Sequence, residues 1–228
     1  MDNATKKELI NYLSGFLTPR RLAKMQSILN NRTRHLTIAL EDIYQSHNAS
    51  AVLRSCECFG IQDVHIIENQ NTYEVNPDVA LGASKWLTLH KYSGQEFNTP
   101  SCLENLKAKG YRLVAASPHK DDCLLEELPL DQKTALLFGT EMRGLTPEAI
   151  RMAEGFVKIP MQGFTESFNI SVSAAICLYE LSTKLRNSPI SWQLSEEEKS
   201  DLLLDWIKVS IKNPDLLISR YLKTHPNK

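Results

Sequence analysis

The 228-residue chain has no apolar run near the roughly 20 residues needed to cross a bilayer. Its N-terminus, MDNATKKELINYL, is polar and amphipathic and lacks an apolar h-region and a small-residue cleavage site, so no signal peptide is expected. C-x-x-C pairs are missing, and the five cysteines (Cys56, Cys58, Cys102, Cys123, Cys177) are odd in number. Cys56 and Cys58 form a C-x-C inside a helical pattern, a poor zinc arrangement, so no metal is expected. Reduced, mostly buried thiols and a cytoplasmic setting are the reading. Neither G-x-G-x-x-G nor G-x-x-x-x-G-K-[ST] occurs, which removes the dinucleotide fingerprint and the P-loop. Internal repeats and low-complexity tracts are absent as well.

What is present is ordinary globular composition, 42% hydrophobic and 23% charged, with a net charge of −1 that excludes a generally sticky polycation. The charge is unevenly spread. In residues 1–36 seven basic side chains stand against Asp2 and Glu8, a net of +5. Either a solvated helical face or a basic arm that meets a polyanion satisfies that count.

Residues 3–15 and 19–31 read as short helices, the second with Thr18 as cap and Pro19 at its first position. Strand-like runs follow at 36–43, 64–68, 87–92, 112–118, 134–140 and 156–161. Helical patterns lie at 49–60, 101–110, 146–154 (capped by Thr146) and 169–186. This alternation predicts a largely parallel sheet covered on both faces. After a linker-like NSPIS, two more helices are expected at 194–213 and 214–225. The expected division is a basic helical extension over 1–35, a catalytic α/β domain over 36–187 and a helical extension over 188–228.

Ligands of parallel α/β sheets bind at the carboxyl ends of strands, and three strand ends carry unusual residues. In SHNASAVLRSCECFG, Asn48 reads as a helix cap. Arg54 stands among Ala51, Val52, Leu53, Cys56 and Cys58, where a guanidinium is expected to face a carboxylate or phosphate. In LLFGTEMRGLTPEAI, Glu141 sits between Gly139 and Gly144 in a tight turn. In IPMQGFTESFNISVSAAI, Ser167, Asn169, Ser171 and Ser173 open an otherwise apolar helix, which a core helix does not require.

Together these stretches resemble the SpoU/TrmH branch of the SPOUT RNA methyltransferases. HNASAVLRSCECFGI is similar to the family's N-x-x-A-x-x-R motif and ALLFGTEMRGL to its F-G-x-E-x-x-G-L motif. VKIPMQGFTESFNISVSAAICLYE is similar to I-P-M…E-S-L-N-V-S-x-A, with Phe168 for Leu and Ile170 for Val. LGASKWLTLHKY resembles an intermediate segment, and the likeness covers about residues 20–187. It implies a SPOUT α/β-knot: a mostly parallel sheet with a deep C-terminal trefoil knot, an exception to the rule against threading. Small side chains around the third motif suit such threading.

The resemblance further implies methyl transfer from S-adenosylmethionine to a ribose 2′-hydroxyl, leaving S-adenosylhomocysteine, by a homodimer joined at the knot. The cofactor would rest on Ala116 and Ser117, on Phe138 and Gly139, and on Ile159, Met161 and Phe168. Arg54 matches the family's catalytic arginine, often described as a general base. A guanidinium stays protonated, so holding the adjacent phosphate and stabilising the developing alkoxide fits the physics better. Asn48 and Asn169 would position Arg54 or the ribose, Ser167 would lie near the reacting groups, and Glu141 would orient loops or cross an interface.

Many rRNA members of the family carry an N-terminal domain resembling a ribosomal protein, whereas only 35 residues precede the first strand here. RRLAKMQSILNNRTRHLTIALEDI resembles the arm of the group that modifies guanosine 18 of tRNA. The expected substrate is therefore the D-loop guanosine of tRNA, with Arg20, Arg21, Lys24, Arg32 and Arg34 gripping phosphates. Methylation of rRNA, and a non-catalytic RNA-binding factor on the same fold, are the alternatives.

Overall fold

The computed structural model describes residues 2–74, 76–117 and 123–224. The last residues of the strand expected at 112–118 and of the helix expected at 214–225 lie outside them. The chain forms two compact units, one of residues 33–192 and one of residues 1–32 with 193–228.

The larger unit holds a seven-stranded sheet. In chain order its strands are β1 (Leu36–Glu41), β2 (Asp63–Ile67), β3 (Thr88–Tyr92), β4 (Arg112–Ala116), β5 (Cys123–Leu124), β6 (Thr134–Phe138) and β7 (Gly155–Lys158). They lie side by side as β3-β2-β1-β6-β4-β7-β5, and every pairing is parallel. β1 and β6 are buried along their whole length, as a sheet covered on both faces requires. Leu36, Ile38, Leu40, Leu136 and Phe138 point into one core with Val52, Leu53 and Cys56 of α3 (Ser46–Cys58) and Ala174, Cys177 and Leu181 of a long helix, Ile170–Arg186. Ala39, Ala135 and Leu137 alternate to the other side and meet Cys102, Leu103 and Leu106 of α5 (Thr99–Ala108). A four-residue helix, α4 (Pro77–Ala80), and α6 (Pro147–Met152) complete this part, and the long helix is α7.

Local signals explain the boundaries. Thr146 Oγ1 accepts from Ala149 N at 3.2 Å and Pro147 opens α6. Gly60 and Gly110 follow α3 and α5 at φ 76° and 80°, where glycine alone is unstrained. The NSPIS stretch is not a free linker. Ile190 and Trp192 pack on the core, Thr33 Oγ1 donates to the Trp192 carbonyl at 2.6 Å, and Arg186 lies 5.3 Å from the Trp192 ring centre.

The smaller unit consists of α1 (Asn3–Ser14), α2 (Pro19–Leu29), α8 (Glu196–Lys208) and α9 (Pro214–Thr224). The two terminal extensions thus form one body rather than two. Lys6 pairs with Asp201, Tyr221 donates to Glu8 at 3.0 Å, and the Tyr12 and Tyr221 rings lie 5.1 Å apart. α8 starts with a reciprocal cap: Glu198 N donates to Ser195 Oγ at 3.2 Å, and Ser195 N to Glu198 Oε2 at 2.8 Å.

A polar cluster lies along β2 and β3. The His65 and His90 rings stack at 4.5 Å, His65 Nδ1 is 3.1 Å from Tyr92 Oη, and Asp63 pairs with Arg34 at 2.9 Å and His90 at 3.3 Å. Burial, reinforced by His90, pushes His65 down from its ordinary 6.5 to about 3. The unfolded chain therefore takes up a proton near pH 6.5 that the folded chain refuses until about pH 3, so stability falls as pH drops through that window. About 2 kcal/mol should be lost between pH 7 and pH 5 from this residue. Burial alone would raise Asp63, but the His90 hydrogen bond and the Arg34 charge hold it below 3.8, so its own loss begins only in stronger acid. Urea unfolding at the two pH values should show the His65 loss in the wild type and its disappearance in His65→Phe; an unchanged slope would refute it.

Candidate active site at the strand ends

The strand order reverses between β1 and β6: β2 and β3 continue to one side, while β6, β4 and β7 lie on the other. This is the switch point at which a crevice opens outside the carboxyl ends of an α/β sheet. The three strand ends expected to hold a cofactor prove to be neighbours there. Ala115 is in register with Leu137 and Ala116 with Val157, and Ser117 N donates to the Val157 carbonyl at 3.1 Å. Phe138–Gly139, Ala116–Ser117 and Ile159 therefore end side by side. Phe138 is buried, Ala116, Ser117, Gly139, Ile159 and Met161 are half-buried, and Phe168 is 43% exposed.

Gly139 is fixed by a close approach. A Cβ there would lie 2.1 Å from the Gly144 carbonyl carbon and 2.2 Å from Leu145 N. The approach exists because Thr140 and Gly144 exchange two backbone hydrogen bonds of 2.9 Å, with Gly144 at φ 69°. That closed turn projects Glu141 toward β1. Glu141 Oε1 accepts from Asn48 Nδ2 at 2.7 Å, and Oε2 from Tyr44 N at 3.4 Å. Asn48 Oδ1 in turn accepts from Asn169 Nδ2 at 3.1 Å. Asn169 caps α7, its Oδ1 accepting from Ser171 N at 2.8 Å and Ser171 Oγ at 2.6 Å. One residue from each of the three motifs is thus joined in a single chain of hydrogen bonds.

Several expectations are corrected. Asn48 is not a helix cap: α3 begins after Gln45, and the buried Asn48 amide is spent on Glu141 and Asn169. Ser171 serves the α7 cap, its amide and hydroxyl both donating to Asn169 Oδ1. Arg32 does not reach solvent; it is 1% exposed, with its guanidinium 5.3 Å from the Trp206 ring centre. Arg34 is half-buried and holds Asp63, so its charge is already engaged. Arg20, Arg21 and Lys24 are exposed as a phosphate grip requires, with Arg21 Nη2 3.3 Å from Ser210 Oγ.

Arg54 and Ser167 are exposed, and among the described residues neither hydrogen-bonds the Asn48–Glu141–Asn169 cluster. Six residues separate Arg54 from Asn48 on α3, about 9 Å along the axis and on a different face. Arg54 shares its face instead with Ala51, three residues before it, and Ser55 follows it in the chain. Ala51 and Ser55 line a groove of about 440 Å³ with Phe59, Val172, Ile176 and Tyr179.

One residue was missed. Glu41, the last residue of β1 and 2% exposed, accepts from Thr99 Oγ1 at 2.5 Å, Thr146 N at 2.8 Å and Thr146 Oγ1 at 2.7 Å. It holds the starts of α5 and α6 against the strand end. An acid closing the apolar run LTIALE was the available signal.

Such an arrangement defines a parallel α/β protein with three strand ends side by side at its switch point and an amide–carboxylate cluster beside them. A profile described as the SpoU rRNA Methylase family matches residues 35–179; the chain belongs to this family. It is 45% identical over 213 residues to a tRNA (guanosine(18)-2'-O)-methyltransferase of Borreliella burgdorferi, covering 93% of this chain and 95% of that protein. It is 30% identical to a protein of that name in Thermus thermophilus, covering 84% of this chain and 97% of that protein. The solved structure of the Aquifex aeolicus TrmH/SpoU tRNA modifying enzyme matches with a TM-score of 0.76 at 26% identity, covering 85% of this chain and 98% of that one.

Proposed function

We propose that this protein transfers a methyl group from S-adenosylmethionine to the ribose 2′-hydroxyl of guanosine 18 in the D-loop of tRNA. The observation that carries the reading is the Asn48–Glu141–Asn169 chain at the rim of three adjacent strand ends, in a sequence that resembles named Gm18 enzymes over nearly its whole length. Half-buried Ile159 and Met161 and the exposed ring of Phe168 offer apolar surface after β7. This fits an adenosine lying on strand ends. Ala116, Ser117, Phe138, Gly139, Ile159, Met161 and Phe168 would hold the cofactor, which supplies an activated methyl group when bound.

The protein's own part is to align the ribose and steady charge. Asn48 and Asn169, fixed through Glu141, would orient the ribose, and Ser167 would stand near the acceptor oxygen. Arg54 would hold the neighbouring phosphate and stabilise the alkoxide as the proton leaves. Orientation of this kind supplies roughly 7–11 kcal/mol of a barrier. Arg20, Arg21 and Lys24 would grip tRNA phosphates without reading bases.

The working form is a cytoplasmic homodimer, and the stretch before α7 passes through an earlier loop as a trefoil knot. The dimer reading is supported by the apolar groove on α3 and α7, beside which Val172 and Tyr179 stand 44% and 62% exposed. No helix among the described residues is long and apolar enough to cross a membrane. Incubation with labelled S-adenosylmethionine and either bulk tRNA or rRNA tests the reading. Label in tRNA is expected. Label confined to rRNA, or none in either, would overturn the tRNA assignment.

A further inference from the structure

We propose that Tyr44 is the platform on which the target base stacks while its ribose is presented to the Asn48–Glu141–Asn169 cluster. The inference rests on the ribose-methylating reading above and adds the residue that receives the base.

The loop from β1 to α3 is anchored at both ends. Asp42 adopts φ 56°, and its Oδ1 accepts from the backbone N–H groups of Asn69, Gln70 and Asn71 at 3.0, 2.7 and 2.8 Å. Asn71 Nδ2 donates to the Asp42 carbonyl at 3.0 Å. Ile43 is buried in the core. The Gln45 carbonyl accepts from Asn48 N at 2.9 Å and starts α3. Between these anchors the Tyr44 amide donates to Glu141, the same carboxylate that takes Asn48. Yet the Tyr44 side chain is 74% exposed.

A lone exposed aromatic is common and by itself says nothing. The placement of this one is informative. Its backbone is bound to the carboxylate that organises the cluster, so a nucleotide presented ribose-first to that cluster must set its base down close to this loop. An unstacked base requires a π-face to replace its lost neighbours. A tyrosine on a rigid stem provides one with only two rotatable bonds to order. A ring left 74% exposed on an anchored loop performs little packing within this chain.

The test is a coupling measurement by fluorescence anisotropy of labelled tRNA. Two RNAs are compared, one with guanosine at position 18 and one with an abasic ribose there. Tyr44→Ala should weaken binding of the intact RNA about 10- to 100-fold. It should change binding of the abasic RNA less than about twofold, and Tyr44→Phe should match the wild type on both. Equal losses on the two RNAs, or no loss on either, would overturn the proposal. So would dissociation of the Tyr44→Ala homodimer in sedimentation, because the ring would then belong to a protein interface. Methyl transfer by the wild-type protein to the intact tRNA reports separately on the function itself.

Discussion

Arg54→Ala is expected to lower kcat for tRNA methylation about 100- to 1,000-fold, the usual cost of removing one preorganised group aimed at developing negative charge. Folding should scarcely notice. Arg54 is exposed on α3 and has no ion pair or hydrogen bond among the described residues, so its truncation falls in the range of about 0.5 kcal/mol typical of surface changes. Tm should move by no more than about 2 °C. Affinity for S-adenosylmethionine should also hold, since Arg54 lies on α3, away from the strand ends assigned to the cofactor. Arg54→Lys separates the two roles open to the arginine. Retention of charge without the planar fork should restore only part of the rate if the group clamps a phosphate. Single-turnover kinetics and calorimetric cofactor binding check this. Near-wild-type turnover by Arg54→Ala would remove Arg54 from the reaction.

Gly139→Ala should damage both the cradle and the fold. The added methyl would lie 2.1 to 2.2 Å from three backbone atoms of Gly144 and Leu145, and backbone cannot rotate away as a side chain can. Relief requires opening the Thr140–Gly144 turn and breaking its pair of 2.9 Å hydrogen bonds. Overpacking of this kind costs about 3 kcal/mol, which lowers Tm by roughly 6–12 °C in a chain of this size. The same shift displaces Glu141 from Asn48, so cofactor affinity and turnover should fall together, each at least about tenfold. Thermal unfolding and calorimetry at a temperature where the variant is folded read both effects. Wild-type values for both would show that the turn is not closed as described.

The alternation of apolar runs and helical patterns was enough to read a parallel sheet covered on both faces, because β1 and β6 bury both faces and are apolar except at Thr37, Glu41 and Thr134. Shorter elements were not legible. β5 is two residues long and α4 four, too short for any period to register. The residues of the three motifs stood out because each interrupts an apolar pattern at a strand end. Their joining did not, because Asn48 meets Glu141 across 93 positions and Asn169 across 121.

Asn48 illustrates the limit. Its place after a strand looks like a cap, and only the arrival of Glu141 from the end of the neighbouring strand β6 gives its amide another use. The basic arm misled in the opposite direction. Arg32 and Arg34 have polar neighbours typical of a surface, but Trp206 and Asp63, distant in sequence, take them inward.

The most direct test of the central claim uses a single tRNA made in two forms, with guanosine or with 2′-deoxyguanosine at position 18. Each is incubated with the protein and labelled S-adenosylmethionine, and the labelled nucleotide is mapped. The expected result is one methyl group per molecule on the 2′-oxygen of guanosine 18, and none on the deoxy form. Label on a base nitrogen, label that persists on the deoxy form, or no transfer to either RNA would contradict it.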